Sequence, residues 1–182
     1  REMIAEIAAT IAFSAIQNND KIGVIFFSDR VEKFIPPKKG RKHILFIIRE
    51  LLDFKPEHSA TDIACVLRYF TDALKKRATT FLISDFIDQH DYSKALSVAR
   101  NRHDVIALQV YDKRDSQMPD VGLIRLADLE TGREQWIDTS SKRVRSSYNK
   151  WWYERQQAMT ETMRKARVDV SSVSTDEDYI AA

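Results

Sequence analysis

One cysteine, four glycines and four prolines in 182 residues are too few for several whole classes of protein. The lone Cys65 excludes an internal disulfide and fits a reducing, cytoplasmic compartment. So little Gly and Pro excludes collagen-like and low-complexity chains. A composition 43% hydrophobic and 31% charged supports a real core rather than disorder. No apolar run approaches the roughly 20 residues of a membrane helix, and no signal peptide opens the chain, so no membrane segment is expected. A net charge of +2 is too near neutral for a dedicated polyanion binder. Reactive signatures are missing as well. There is no Gly-rich phosphate loop, no G-x-S-x-G elbow and no H-E-x-x-H, and the expectation is a protein that is not an enzyme.

What is present is a regular alternation of strand and helix patterns. EMIAEIAATIAFSAIQ (2–17) repeats apolar residues at three and four, from the first turn and with no capping residue ahead of it. IGVIFFS (22–28) is a near-continuous apolar run, as in a strand covered on both faces, and VEKFI (31–35) reads as its hairpin partner at the sheet edge, closed by Pro36-Pro37. A helix follows Gly40 and stops before Pro56. SATD (59–62) has capping-box form ahead of a helix lined by Ile63, Leu67, Phe70 and Leu74. TTFLISDF (79–86) and DVIALQVY (104–111) read as buried strands around a helix at 91–102. Residues 121–138 form two extended arms about Thr131-Gly132, a hairpin insertion. A long helix at about 141–167, a strand at 168–174 and a fresh helix start at Thr175-Asp176-Glu177-Asp178 complete the pattern. This predicts an α/β fold with a mostly parallel sheet flanked by helices.

Two positions carry a candidate site. Asp85 lies at the carboxyl end of a buried strand, where open parallel sheets place their ligands. Thr61 and Asp62 start a helix after a loop that reaches the same edge, and a hydroxyl with a carboxylate there suits a hard divalent cation. The competing reading is purely local: Ser59, Thr61 and Asp62 cap their helix, and Asp85 caps the next loop. Cys65 reads as packed, and His43, His58, His90 and His103 all read as surface residues.

The basic helix is the remaining feature. Residues 141–167 hold eight basic and two acidic residues, a net of +6, while the rest of the chain sums to −4. Val144, Tyr148, Trp152, Met159, Met163 and Ala166 keep helical spacing and predict a stripe docked on the sheet, with the cations in water. Trp151, off that stripe, is the candidate for partner contact.

The order of helix, IGVIFFS hairpin, helix, SATDIACVL helix and TTFLISDF resembles the von Willebrand factor A domain. With DKIGVIFFSD, the Pro-Pro then basic stretch and the closing basic-aromatic helix, it is similar more narrowly to the bacterial domain-of-unknown-function family fifty-eight, associated with MoxR-type AAA ATPases. The resemblance implies a metal-ion-dependent adhesion site for Mg²⁺ or a similar divalent cation. Thr61 in SATDIACVL and Asp85 in LISDF match two parts of its ligand set. The third part, D-x-S-x-S, is absent, because it belongs to a first strand upstream of Arg1. The resemblance therefore implies a single von Willebrand A-like domain over 1–182 that is N-terminally incomplete, with two strand edges left unpaired inside the sheet. It also implies a non-catalytic, metal-dependent protein–protein interaction module partnering a MoxR-type AAA ATPase in complex assembly.

Two further readings stand beside it. Asp85 with Lys113 suggests a receiver-like domain accepting a phosphoryl group, although no acidic pair is found at the end of a first strand. The 141–167 helix suggests a nucleic-acid binder, which the +2 balance disfavours.

Overall fold

Hydrophobic periodicity and strand alternation give the elements in the expected order, and a computed structural model describes residues 2–112, 116–127 and 134–175. Helix α1 (Glu2–Gln17) leads into the hairpin β1 (Ile22–Phe27) and β2 (Val31–Lys38). Then follow α2 (Arg41–Asp53), α3 (Ile63–Ala73), β3 (Thr79–Ser84), α4 (Ser93–Arg102) and β4 (Asp104–Tyr111). A second hairpin, β5 (Leu123–Ala127) and β6 (Glu134–Asp138), precedes the long α5 (Lys142–Ala166) and β7 (Asp169–Ser174). The turn expected at Thr131-Gly132, the helix start at 176–178, Arg1 and Lys113 lie outside the described residues.

The fold is mixed α/β, with a parallel sheet flanked by helices and an inserted hairpin, as the sequence predicts. Strands β3, β4 and β7 are parallel in the order β3-β4-β7. Strands β1 and β2 form a separate antiparallel pair. β2 runs through Pro36 and Pro37 to Lys38 rather than stopping before them. It is an edge strand, where a missing N–H removes no ladder bond, and the pairing shifts register between Ile22 and Val24. Gly23 permits that close approach, since a Cβ there would meet the Ile35 carbonyl oxygen at 2.7 Å.

Alternating side chains of β1 feed two cores. Ile25 and Phe27 pack with α3 residues, the α4 residue Leu96 and the α5 residues Met159 and Met163 in the main cluster. Val24 and Phe26 join Ile35, Ile47, Leu51 and Phe54 in a smaller one. The strands β3 and β4 are less enclosed than their apolar runs suggest. Leu82, Val105 and Ala107 are buried against the helices, whereas Phe81 on the opposite face is 37% exposed.

Among the described residues β1 and β3 do not pair with each other, and a cavity of about 1770 Å³ lies between them.

The stripe expected on the long helix is the docked face: Trp152, Met159, Met163 and Ala166 are buried. One expectation fails outright. His103 is not on the surface but 1% exposed, packed against Phe70 with ring centroids 4.3 Å apart and planes tilted by 46°. It follows the last turn of α4, and its backbone N–H caps that turn through Ala99, which carries the ring inward.

Candidate functional site at the carboxyl edge of the sheet

Three loops converge where β1 and β3 end. The Asp62 N–H donates to the Ser28 carbonyl at 3.0 Å, which ties the start of α3 to the end of β1. The Ile63 N–H donates to Asp88 Oδ2 at 2.7 Å, which ties the same point to the loop after β3. The candidate residues Thr61 and Asp85 are therefore both carried on loops of this edge, Thr61 half-buried and Asp85 exposed.

The helix start differs in detail from the capping-box reading. Asp62 is itself the N-cap, with extended backbone, and its Oδ1 accepts from the Cys65 N–H at 2.7 Å. The cap falls there because the Asp62 N–H is already held by β1. A carboxylate at this position also complements the positive end of α3.

Asp85 is fixed by its surroundings. Its Oδ1 accepts from the Ile87 N–H at 3.0 Å, and its carbonyl from Gln109 Nε2 at 3.4 Å. Gln109, 2% exposed, also donates to Gln156 of α5 and accepts from Ser172 of β7. Phe86 adopts a left-handed backbone (φ 58°) that bulky residues avoid, at a cost of about 1–2 kcal/mol. Burial of its ring offsets that cost, and the strain lies directly beside Asp85, where strained loops accompany function.

Asp88 and His90 were not candidates in the sequence, yet they organise the edge. The Asp88 side chain is fully buried, and its Oδ1 accepts from both the backbone N–H and Nδ1 of His90, at 2.8 and 2.9 Å. Its carbonyl accepts from Arg155 of α5 at 2.8 Å. Hydrogen bonding to Asp88, then its charge, raises the His90 pKa above the ordinary value, with Asp62 and the Thr61 backbone adding to the effect. One ligand atom each from Asp62, Asp88 and His90 lie within 4.8 Å of one another. Mixed oxygen and imidazole donors suit transition metals better than Mg²⁺. Both Asp88 oxygens are engaged as acceptors, so its chief work is bracing α3 against the β3 exit loop. The sequence signal was D-x-H just after an apolar strand, a pattern too short to separate from a surface loop.

A second acidic group flanks the first loop. Glu32 accepts from the backbone N–H groups of Glu57 and His58 at 2.7 and 3.1 Å. Desolvation pushes its pKa up, but these bonds prevail and hold it below the usual range. The loop before Thr61 is thereby anchored to β2.

Hard oxygen donors at Thr61 and Asp85 fit a hard cation in kind. Mg²⁺ keeps several of its waters and needs only one or two carboxylates from the protein. On the basic helix Trp152 is buried, whereas Tyr153 is 64% exposed and Trp151, 41% exposed, has the Arg155 guanidinium 5.2 Å from its ring centroid.

The structure is a mixed α/β fold whose parallel sheet has loops converging at its carboxyl edge. More narrowly, the family described as "Protein of unknown function DUF58" matches residues 1–158, and the chain belongs to that family. It is similar to the uncharacterized protein Rv1480 of Mycobacterium tuberculosis, 26% identical over 185 residues and all of this chain, which spans 57% of that relative's length. It is also 28% identical over 151 residues to the uncharacterized protein MAV169 of Mycobacterium avium, covering 81% of this chain and 88% of that one. Among solved structures it shares its fold with the conserved hypothetical protein BatB of Bacteroides thetaiotaomicron, with TM-score 0.59, 17% identity and coverage of 97% of this chain and 82% of that one. An aerotolerance-related membrane protein of Bacteroides fragilis aligns with TM-score 0.60, 15% identity and coverage of 97% and 83%. No helix among the described residues is long and apolar enough to cross a membrane.

Proposed function

We propose that this protein is a non-catalytic, cytoplasmic interaction module that engages a protein partner at the edge carrying Thr61 and Asp85, through Mg²⁺ or a similar divalent cation. The partner is a MoxR-type AAA ATPase, and the role is assembly of another complex. The observation that carries this reading is the convergence of the 28–30, 59–62 and 85–90 loops. Backbone hydrogen bonds to Ser28 and Asp88 lock that arrangement and leave Asp85 exposed. A preformed edge of this kind suits docking, because little ordering entropy is lost on binding.

Calorimetric titration of Mg²⁺ into the full polypeptide tests the cation. Asp85→Ala and Thr61→Ala are each expected to weaken Mg²⁺ binding by about tenfold, or about 1.4 kcal/mol. Unchanged binding in both variants would remove these residues from the site.

A further inference from the structure

A second charged patch takes no part in the proposed docking edge. Residues 38–49 (KKGRKHILFIIR) hold five Lys or Arg and no Asp or Glu, a net of +5, while the other 170 residues sum to −3. Lys38 ends β2, Lys39 follows it, and Arg41, Lys42 and Arg49 lie on α2. All five are exposed. Arg49 pairs with Asp53 at 3.5 Å. Lys38, Lys39, Arg41 and Lys42 make no ion pair among the described residues, and the first turn of α2 holds no acidic residue. Cations at the start of a helix oppose its macrodipole and repel one another. The cluster therefore works against the free protein, and an external anionic surface relieves it.

The same helix carries apolar side chains that the core does not use. Ile44 and Ile47 are its buried residues, and Ile47 packs into the smaller core. Leu45, Phe46 and Leu52 are instead 48%, 45% and 67% exposed. Arg41, Leu45, Arg49 and Leu52 follow one another at helical spacing, as do Lys42 and Phe46, so cations and apolar tips share one outer face. A helix face turned only to water is polar throughout. The patch is also held in place. His43 Nε2 donates to the Ile22 carbonyl at 3.0 Å, and Ile22 pairs with Lys38, which fixes the start of α2 at the beginning of β1. Thr61 and Asp85 lie at the other end of that strand, where Ser28 meets Asp62.

We infer that this patch rests on the surface of an anionic phospholipid bilayer. Leu45 and Phe46 enter the headgroup boundary, while Lys38, Lys39, Arg41 and Lys42 meet lipid phosphates and carboxylates. Charge complementarity carries the choice of occupant: a cluster of about four to eight cations on an amphipathic helix suits anionic lipid, and an apolar second signal makes the contact firm. Aliphatic tips set between cations suit a fluid surface that closes around each of them. A nucleic acid answers the cations but offers Leu45 no contact, since stacking needs an aromatic ring. A protein partner takes its anchors from a contiguous, desolvated cluster rather than from tips separated by charge. Because the patch and the docking edge lie at opposite ends of β1, a protein seated on a bilayer keeps Thr61 and Asp85 at its far end. The inference goes beyond the proposed function and depends on neither a divalent cation nor the ATPase.

Vesicles of phosphatidylcholine with and without phosphatidylserine test it on the full polypeptide. An environment-sensitive fluorophore on Leu45→Cys, in a Cys65→Ser background, should shift to the blue on phosphatidylserine vesicles and stay unshifted on phosphatidylcholine alone. Lys38→Gln, Lys39→Gln, Arg41→Gln and Lys42→Gln together should raise the lipid concentration at half-shift by at least about tenfold. Added salt should move the half-shift the same way without those four substitutions, so the charge is tested even where that variant misfolds. No shift on phosphatidylserine, or an equal shift on both vesicles, would overturn the inference. So would a half-shift that salt leaves in place. An equal shift on a single-stranded oligonucleotide would assign the patch to nucleic acid and also overturn it.

Discussion

Replacing His103 with Phe should stabilise this protein, contrary to the usual outcome of changing a buried residue. His103 is 1% exposed, and neither ring nitrogen has a hydrogen-bond partner. A neutral imidazole carries one donor and one acceptor, and leaving such groups unpaired in a core costs about 1–3 kcal/mol. Phe keeps the aromatic contact with Phe70 and removes both polar atoms. Allowing for the slightly larger ring, the expected gain is about 1–2 kcal/mol, or about 2–8 °C in Tm for a domain of this size. The pH dependence supplies an independent check. Burial first, then the charges of Arg102 and Arg77, hold the His103 pKa below 6.5 in the folded protein. The unfolded chain therefore takes up this proton first. The contribution is fully present above pH 6.5 and is lost as pH falls from there through the lowered folded pKa. At pH 5.5 the loss reaches at most about 1.4 kcal/mol. Urea unfolding of wild type and His103→Phe at pH 7.5 and 5.5 reads both effects. A variant less stable than wild type, with the same loss between the two pH values, would show that the ring is satisfied and refute the reasoning.

Other outcomes follow from the same contacts. Asp88→Ala removes the acceptor for the Ile63 and His90 N–H groups. It should cost about 2–4 kcal/mol in urea unfolding; a loss below about 1 kcal/mol would mean that the brace is dispensable. The His90 titration midpoint, read by NMR, should lie above 6.5 in wild type and move down in Asp88→Asn, because its largest cause is the hydrogen bond to Asp88. Its contribution to stability, present below pH 6.5, fades as pH rises through the raised midpoint. Trp152→Ala should destabilise by about 3–5 kcal/mol as a core cavity, and Trp151→Ala by less than about 1 kcal/mol. The reverse order in thermal melts would place the wrong face of α5 on the sheet.

Periodicity carried most of the fold. The apolar repeats of α3 and α5 give their buried faces directly, since Ile63, Leu67 and Phe70, and Trp152, Met159 and Met163, are buried where helical spacing puts them. Strand burial was harder to read. The apolar composition of β1 and β3 overstates how enclosed they are, since among the described residues each strand pairs on one side only. That Thr61 and Asp85 lie on loops of one edge was legible, because strand ends and the helix starts that follow them meet at the carboxyl edge of a parallel sheet. Asp88, His90 and His103 were not. Their roles arise from long-range contacts to Ile63, Arg155 and Phe70, and local sequence patterns carry no record of which distant residue arrives beside a histidine.

Metal-dependent docking is put to the proof by the dissociation constant between the full polypeptide and the proposed MoxR-type ATPase partner, taken in Mg²⁺ and in EDTA, for wild type and Asp85→Ala. Binding in Mg²⁺ is expected to weaken about tenfold or more in EDTA and by a similar factor in Asp85→Ala. Equal affinity under all of these conditions would contradict a metal-dependent docking edge at Thr61 and Asp85.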